Sequence, residues 1–190
     1  LKFADCVVVD VQCDFKKNDL GNMKTGDTDM AALEATIKTI GERVMPNCLT
    51  LIETTVAPGT TEFVAWPILK KEYKKRGIDS VPLLSHSFER VMPGREYVAR
   101  ARVEKFLHEV LNTKEFPLTV MDRPIESETT KIVENSYRAT TLAYLNEWSL
   151  FAERNGVDII KVINAIKMRP THSNMIFPGP GIGGYCLPKD

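Results

Sequence analysis

The sequence predicts an α/β fold: part of a Rossmann-like parallel sheet domain, followed by an all-α central domain with one long helix. Three observations carry this. Short, nearly continuous apolar runs rich in β-branched residues, the first from Ala4 to Val11, alternate with amphipathic stretches; that is the pattern of buried parallel strands joined by helices. A stretch from about Ile125 to Arg154 contains no glycine or proline. Beyond it, a segment dense in glycine and proline surrounds one cysteine, Cys186.

In chain order, Ala4–Val11 reads as a first strand and Gln12-Cys13-Asp14 as the loop at its C-terminal end, where open α/β sheets bind ligands. Residues 16–28 are polar, carry Gly21 and Gly26, and read as a loop. Asp29 is an N-cap for a helix to about Val44, with Ala32, Leu33, Ile37 and Ile40 on its apolar face. Cys48–Glu53 is a second strand. Thr54 to Glu62 is its turn into a helix, with Thr60 or Thr61 and Glu62 as the capping pair. That helix runs to about Arg76, ends in a cationic face, and has Gly77 as its C′ residue. Val81–Ser85 is a third strand, and His86 beside it reads as a hydrogen-bonded structural histidine. Tyr97–Arg102 leads straight into the amphipathic segment Val103–Leu111, and Phe116–Met121 is a further strand. Apolar residues recur along the long helix at Ile132, Val133, Leu142, Leu145, Trp148 and Ala152, and Asp158 caps a last helix, Ile159–Lys167, with Val162, Ile163 and Ile166 inward. The domain boundary falls between residues 123 and 124.

Lys plus Arg equals Asp plus Glu at 25 each, so net charge is zero, and no nucleic-acid or membrane partner is expected. No apolar run reaches the roughly 18 residues of a membrane span. The four cysteines form no C-x-x-C pair; no metal site or disulfide framework is expected, and a reduced, cytoplasmic protein is. The chain opens on a strand-like run, so no signal peptide is expected.

The chemistry concentrates in Gly179-Pro180-Gly181-Ile182-Gly183-Gly184-Tyr185-Cys186-Leu187-Pro188-Lys189-Asp190. Glycines let backbone amides approach a ligand, and the prolines stiffen the loop that presents the thiol. A neighbouring lysine favours the thiolate. Lys131 and Asn135 are four apart and share one face of the long helix.

G-x-G-x-G-G-x-C-x-x-K-D resembles the active-site signature of the UDP-glucose/GDP-mannose dehydrogenases. Thr54-Thr55-Val56 with Gly59-Thr60-Thr61-Glu62, the run Glu89-Arg90-Val91-Met92-Pro93-Gly94-Arg95, and the K-x-x-x-N spacing resemble the same family. The E-R-V-x-P-G-R form is the commoner one in its N-acetylhexosamine branch. The resemblance implies NAD-dependent oxidation of a nucleotide sugar's primary alcohol to the uronate, in the service of polysaccharide biosynthesis. Cys186 would trap the aldehyde and pass through a thioester. Lys131 and Asn135 would handle the substrate oxygen, Asp190 and Thr55 would position water, and Glu89 would be the base. Val11, Thr55, Pro93 and Lys189 would contact the cofactor. Arg169, Phe177, Gly181 and Gly183 would contact the sugar. The long helix would join a homodimer.

The first loop departs from the family, with Val11-Gln12-Cys13-Asp14 where V-P-T-P is usual. The G-x-G-x-x-G turn of the first βαβ unit is absent, and about twenty residues fewer separate Arg95 from the next helix. The sequence therefore reads as part of a larger enzyme. Two alternatives stand beside this reading: a β-hydroxyacid-type NAD(P) dehydrogenase, which needs no cysteine, and a non-catalytic dimerisation module.

Overall fold

The computed structural model describes residues 1–16, 27–88, 91–93, 97–183 and 187. Its strands are β1 (Cys6–Val9), β2 (Asp14–Lys16), β3 (Asp27–Asp29), β4 (Leu49–Ile52), β5 (Leu83–His86), β6 (Val91–Pro93) and β7 (Thr119–Met121). Its α-helices are α1 (Ala31–Arg43), α2 (Trp66–Lys75), α3 (Tyr97–Val110), α4 (Pro124–Arg154) and α5 (Ile159–Lys167), with a π-helical lead-in to α2 over Thr60–Ala65. Two compact units form, Leu1–Lys131 and Ile132–Asp190, and the division falls within α4.

The first unit is built on a parallel sheet in the order β1-β4-β5, with Cys6 opposite Leu49 and Leu49 opposite Leu83. All four residues of β4 are buried, so both faces of the central strand are covered. Alternation decides which helices cover them. Leu49 and Leu51 pack with Ala99, Val103 and Leu107 of α3. Ile52, with Val9 and Leu84, packs in the core shared by Leu33 and Ile37 of α1 and Leu69 and Tyr73 of α2. The mixed α/β architecture predicted from the sequence is the one observed.

Several elements differ from expectation in instructive ways. Residues 27–29 pair antiparallel with residues 14–16 where a loop was expected. Residues 91–93, for which no strand was expected, pair in parallel with 119–121. The cationic end of α2 is only partly a solvated face. Glu72 and Tyr73 are buried there, and Arg76 donates from Nη1 to the Gly41 and Val44 carbonyls at 2.8 Å, capping α1. A Cβ on Gly41 would lie 2.8 Å from Glu72 Cβ, so glycine permits the close approach of α1 and α2.

The start of α4 is fastened to the strand ends by buried polar contacts. Pro124 sits at the first helical position, and Glu126 accepts the Asp122 and Arg123 N–H groups. Ser127 Oγ lies 2.7 Å from His86 Nδ1 at the end of β5, both side chains being fully enclosed. Glu128 has no exposed surface; its carboxylate accepts the Gly59 N–H at 2.5 Å and the Thr61 N–H at 2.8 Å. The expected capping pair does not close this turn. Thr60 Oγ1 donates instead to the Ala57 carbonyl, Glu62 pairs with Arg123, and Gly59 takes the cap position at φ 92°. A carboxylate from a helix far along the chain supplies the acceptor.

Burial moves both groups. It lowers the His86 pKa to about 4, against an opposing hydrogen bond with the Thr54 backbone. It raises Glu128 above the ordinary carboxylate range, against the Thr61 and Gly59 hydrogen bonds. His86 therefore contributes stability that is complete above its ordinary pKa of 6.5 and is lost as pH falls towards 4. Full loss amounts to about 3 kcal/mol at 1.4 kcal/mol per unit. Glu128 has the opposite sign: its contribution is greatest at low pH and declines as pH rises through its raised pKa. Urea unfolding from pH 4 to 7 should show His86→Gln flattening the acid-side loss; an unchanged slope would assign that loss to other groups. Glu128→Ala leaves two buried N–H groups without their acceptor and should cost about 3 kcal/mol at neutral pH. A change under about 0.5 kcal/mol, an ordinary surface effect, would contradict the fastening.

Candidate active site

The fastened turn of α4 carries the first candidate group. Ser127 and Lys131 are four residues apart and share a face of the helix, so the side chain following the His86 tie also points at the end of β5. Lys131 Nζ lies 4.2 Å from the centroid of the Phe88 ring, two residues beyond His86. The lysine is half-exposed, while Phe88 is only 9% exposed. Among the described residues no carboxylate stands within ion-pair distance of Lys131. The ammonium is thus held by an aromatic face, which attracts a cation without neutralising it. Asn135 follows one turn later on α4 and is buried, at 5% exposure.

Thr55 is half-buried, just past the C-terminal end of β4. Val11 is half-buried just past the end of β1, against the core, and Pro93 is the last residue of β6. These three candidate cofactor residues therefore share the carboxyl ends of parallel strands, where ligands of open α/β sheets bind. The helix N-terminus after β4 is already filled, because Glu128 takes the N–H groups that would otherwise face an anion. This turn therefore does not fit the pyrophosphate of a dinucleotide.

In the second unit, Arg169 is exposed at the start of a short 3₁₀ turn, and Lys167 Nζ lies 4.9 Å from the Phe177 ring centroid. Gly181 has φ +110°, and at neither Gly181 nor Gly183 would a Cβ meet another atom within 4 Å. Asp158 Oδ1 accepts the Lys161 N–H and caps α5, as expected. Glu89, Cys186, Lys189 and Asp190 lie outside the described residues.

Three residues that shape this site, Phe88, Ser127 and Glu128, were not candidates on sequence. Glu128 precedes Lys131 by three on a polar helix and looks like any solvated glutamate. The one available signal was Phe88, the lone large apolar residue in the run Ser85-His86-Ser87-Phe88-Glu89-Arg90. Among the described residues no group of His, Cys, Asp or Glu could hold a metal, and no helix is long and apolar enough to cross a membrane.

Comparisons with known proteins agree with this geometry. The family model described as UDP-glucose/GDP-mannose dehydrogenase family, central domain, matches residues 125–190. UDP-N-acetyl-D-mannosamine dehydrogenase of Pyrococcus horikoshii is 33% identical over 181 residues, covering 86% of this chain and 41% of the relative. Its namesake from Salmonella typhi is 28% identical over 204 residues, covering 98% and 46%. Among solved structures, the P. horikoshii UDP-D-ManNAc dehydrogenase superposes with a TM-score of 0.76 at 25% identity, over 99% of this chain and 45% of that one. The NDP-N-acetyl-D-galactosaminuronic acid dehydrogenase of Methanosarcina mazei gives 0.73 at 26% identity, over 97% and 41%. The chain spans less than half the length of each of these relatives. With the signature motifs and the parallel sheet in agreement, residues 125–190 belong to the central domain of the UDP-glucose/GDP-mannose dehydrogenase family.

Proposed function

We propose that the protein oxidises the primary alcohol of a nucleotide sugar, of the UDP-N-acetylhexosamine class, to the carboxylate with NAD as acceptor. The observation that carries this reading is Lys131: an ammonium against the Phe88 ring at the end of β5, with no carboxylate among the described residues in ion-pair range, and followed by a buried asparagine one turn on. The names of the relatives and the E-R-V-M-P-G-R run support the substrate class.

In this reading Lys131 and Asn135 donate to the substrate oxygen and stabilise the alkoxide as charge develops on it. The nicotinamide, bound against Val11, Thr55, Pro93 and Lys189, supplies the two-electron acceptor for each of two oxidations. Cys186 Sγ adds to the aldehyde carbon between them and forms a thiohemiacetal, whose oxidation gives a thioester. Water held by Asp190 and Thr55 attacks that carbon with Glu89 accepting its proton, and the thiolate leaves. Arg169, Phe177, Gly181 and Gly183 hold the sugar. Net, one alcohol and one water become one carboxylate while two NAD are reduced. A homodimer is part of the proposal. Val133, Tyr137, Tyr144 and Phe151 of α4 are all more than half exposed, and Tyr144, Trp148 and Phe151 stack edge to face, an apolar face suited to a second copy.

With the protein, UDP-N-acetyl-D-mannosamine and NAD, two NADH per sugar and a uronate in the mass spectrum are the expected result. Cys186→Ser should abolish the acid, and Lys131→Ala should lower kcat about a hundredfold or more. One NADH per substrate with a ketone product and full activity of Cys186→Ser would favour a β-hydroxyacid-type enzyme; no saturable NAD binding would favour a non-catalytic module. Sedimentation equilibrium should give a dimer that Trp148→Glu converts to monomer, whereas a wild-type monomer would contradict the helix-mediated pairing.

A further inference from the structure

The contact between Lys131 and Phe88 is not explained by packing alone. A half-exposed lysine is flexible and strongly hydrated, and nothing in its helix holds its four-carbon arm in one place. Here Nζ stands 4.2 Å above the ring centroid of a nearly enclosed phenylalanine. The ring itself is fixed, because it follows Ser87 and His86, both at 1% exposure or less. His86 is joined to Ser127, one turn before Lys131 on the same helical face. The His86–Ser127 and Phe88–Lys131 contacts are therefore two rungs between the same two segments, the end of β5 and the first turns of α4. Glu128, three residues before Lys131 on α4 and anchored on the Gly59 and Thr61 amides, fixes the same helical turn.

We propose that Phe88 is a positioning residue for Lys131: its ring face holds the ammonium at the reaction centre as an un-neutralised cation with N–H groups free to donate to the substrate oxygen. The inference rests on the proposed role of Lys131 in nucleotide-sugar oxidation. An aromatic partner suits that role better than an acid would. A carboxylate at the same distance would cancel much of the charge that the developing alkoxide needs, whereas a ring contributes direction and leaves the charge available. A merely apolar residue of similar size would fill the space and leave the lysine arm free to swing into water.

Two readouts test this together, one of them independent of activity. In the protein with ¹³C-labelled lysine, the Lys131 ε-methylene resonance, assigned by its loss in Lys131→Arg, should be shifted upfield by the ring current. Phe88→Leu should abolish that shift. With UDP-N-acetyl-D-mannosamine and NAD, Phe88→Leu should lower kcat about tenfold, within the range of one cation–ring contact, with KM for NAD unchanged. Phe88→Tyr, which keeps the ring, should restore both the upfield shift and most of kcat; that rescue separates positioning from a folding defect. An unshifted Lys131 resonance in the wild type would overturn the proposal. So would full kcat in Phe88→Leu while Lys131→Ala is impaired, and in that case the role of Lys131 itself stands. Full activity of Lys131→Ala would overturn the role of Lys131, and with it any catalytic purpose for the ring.

Discussion

One buried carboxylate organises the first unit around its chemistry. Glu128 accepts hydrogen bonds from the backbone N–H groups of Gly59 and Thr61, at the turn between β4 and the π-helical lead-in to α2. A carboxylate with no exposed surface is costly unless its lone pairs are met, and a helix N-terminus meets them with aligned N–H groups and a favourable dipole. The arrangement solves two problems at once. It satisfies a helix start that its own threonines do not cap, and it fixes the first turns of α4, from which Lys131 projects.

The His86–Ser127 pair and the Phe88–Lys131 pair extend this fastening along the end of β5. The three contacts differ in chemistry: a charge on backbone dipoles, a neutral imidazole with a hydroxyl, and a cation on a ring. Burial keeps His86 neutral near pH 7, so that tie brings no charge into competition with the lysine. Among the described residues Lys131 stands at the end of β5 with no carboxylate in ion-pair range, which suits the role proposed for it.

Much of the architecture was legible in the sequence, because it depends on local pattern. The β-branched apolar runs marked β1 and β4 to within two residues at each end, and the absence of glycine and proline marked α4 to within one. Asp158 announced the cap of α5, and Gly77 the end of α2; its φ of 68° is the left-handed conformation that a C′ residue takes. Helical periodicity put Lys131 and Asn135 on one face of α4, and the resemblance to a family's K-x-x-x-N singled them out. The rest was not legible because its partners are far apart in sequence. Gly59 and Glu128 are 69 residues apart, and His86 and Ser127 are 41 apart. A serine, a glutamate and a phenylalanine in polar surroundings carry no mark of the partner that tertiary structure will give them. Thr60 and Glu62 had an adequate local explanation as a capping pair, and tertiary structure overrode it.

The most direct measurement is a ¹³C NMR titration of the Glu128 side-chain carboxyl, followed together with the Gly59 and Thr61 amide protons. Burial should raise its titration above the ordinary glutamate range, against the pull of the two N–H groups that it fastens. Both amides should then exchange slowly with solvent and shift with the same midpoint. A Glu128 that titrates like a surface glutamate, beside amides that exchange freely and ignore its protonation, would mean that Lys131 owes its position to something else.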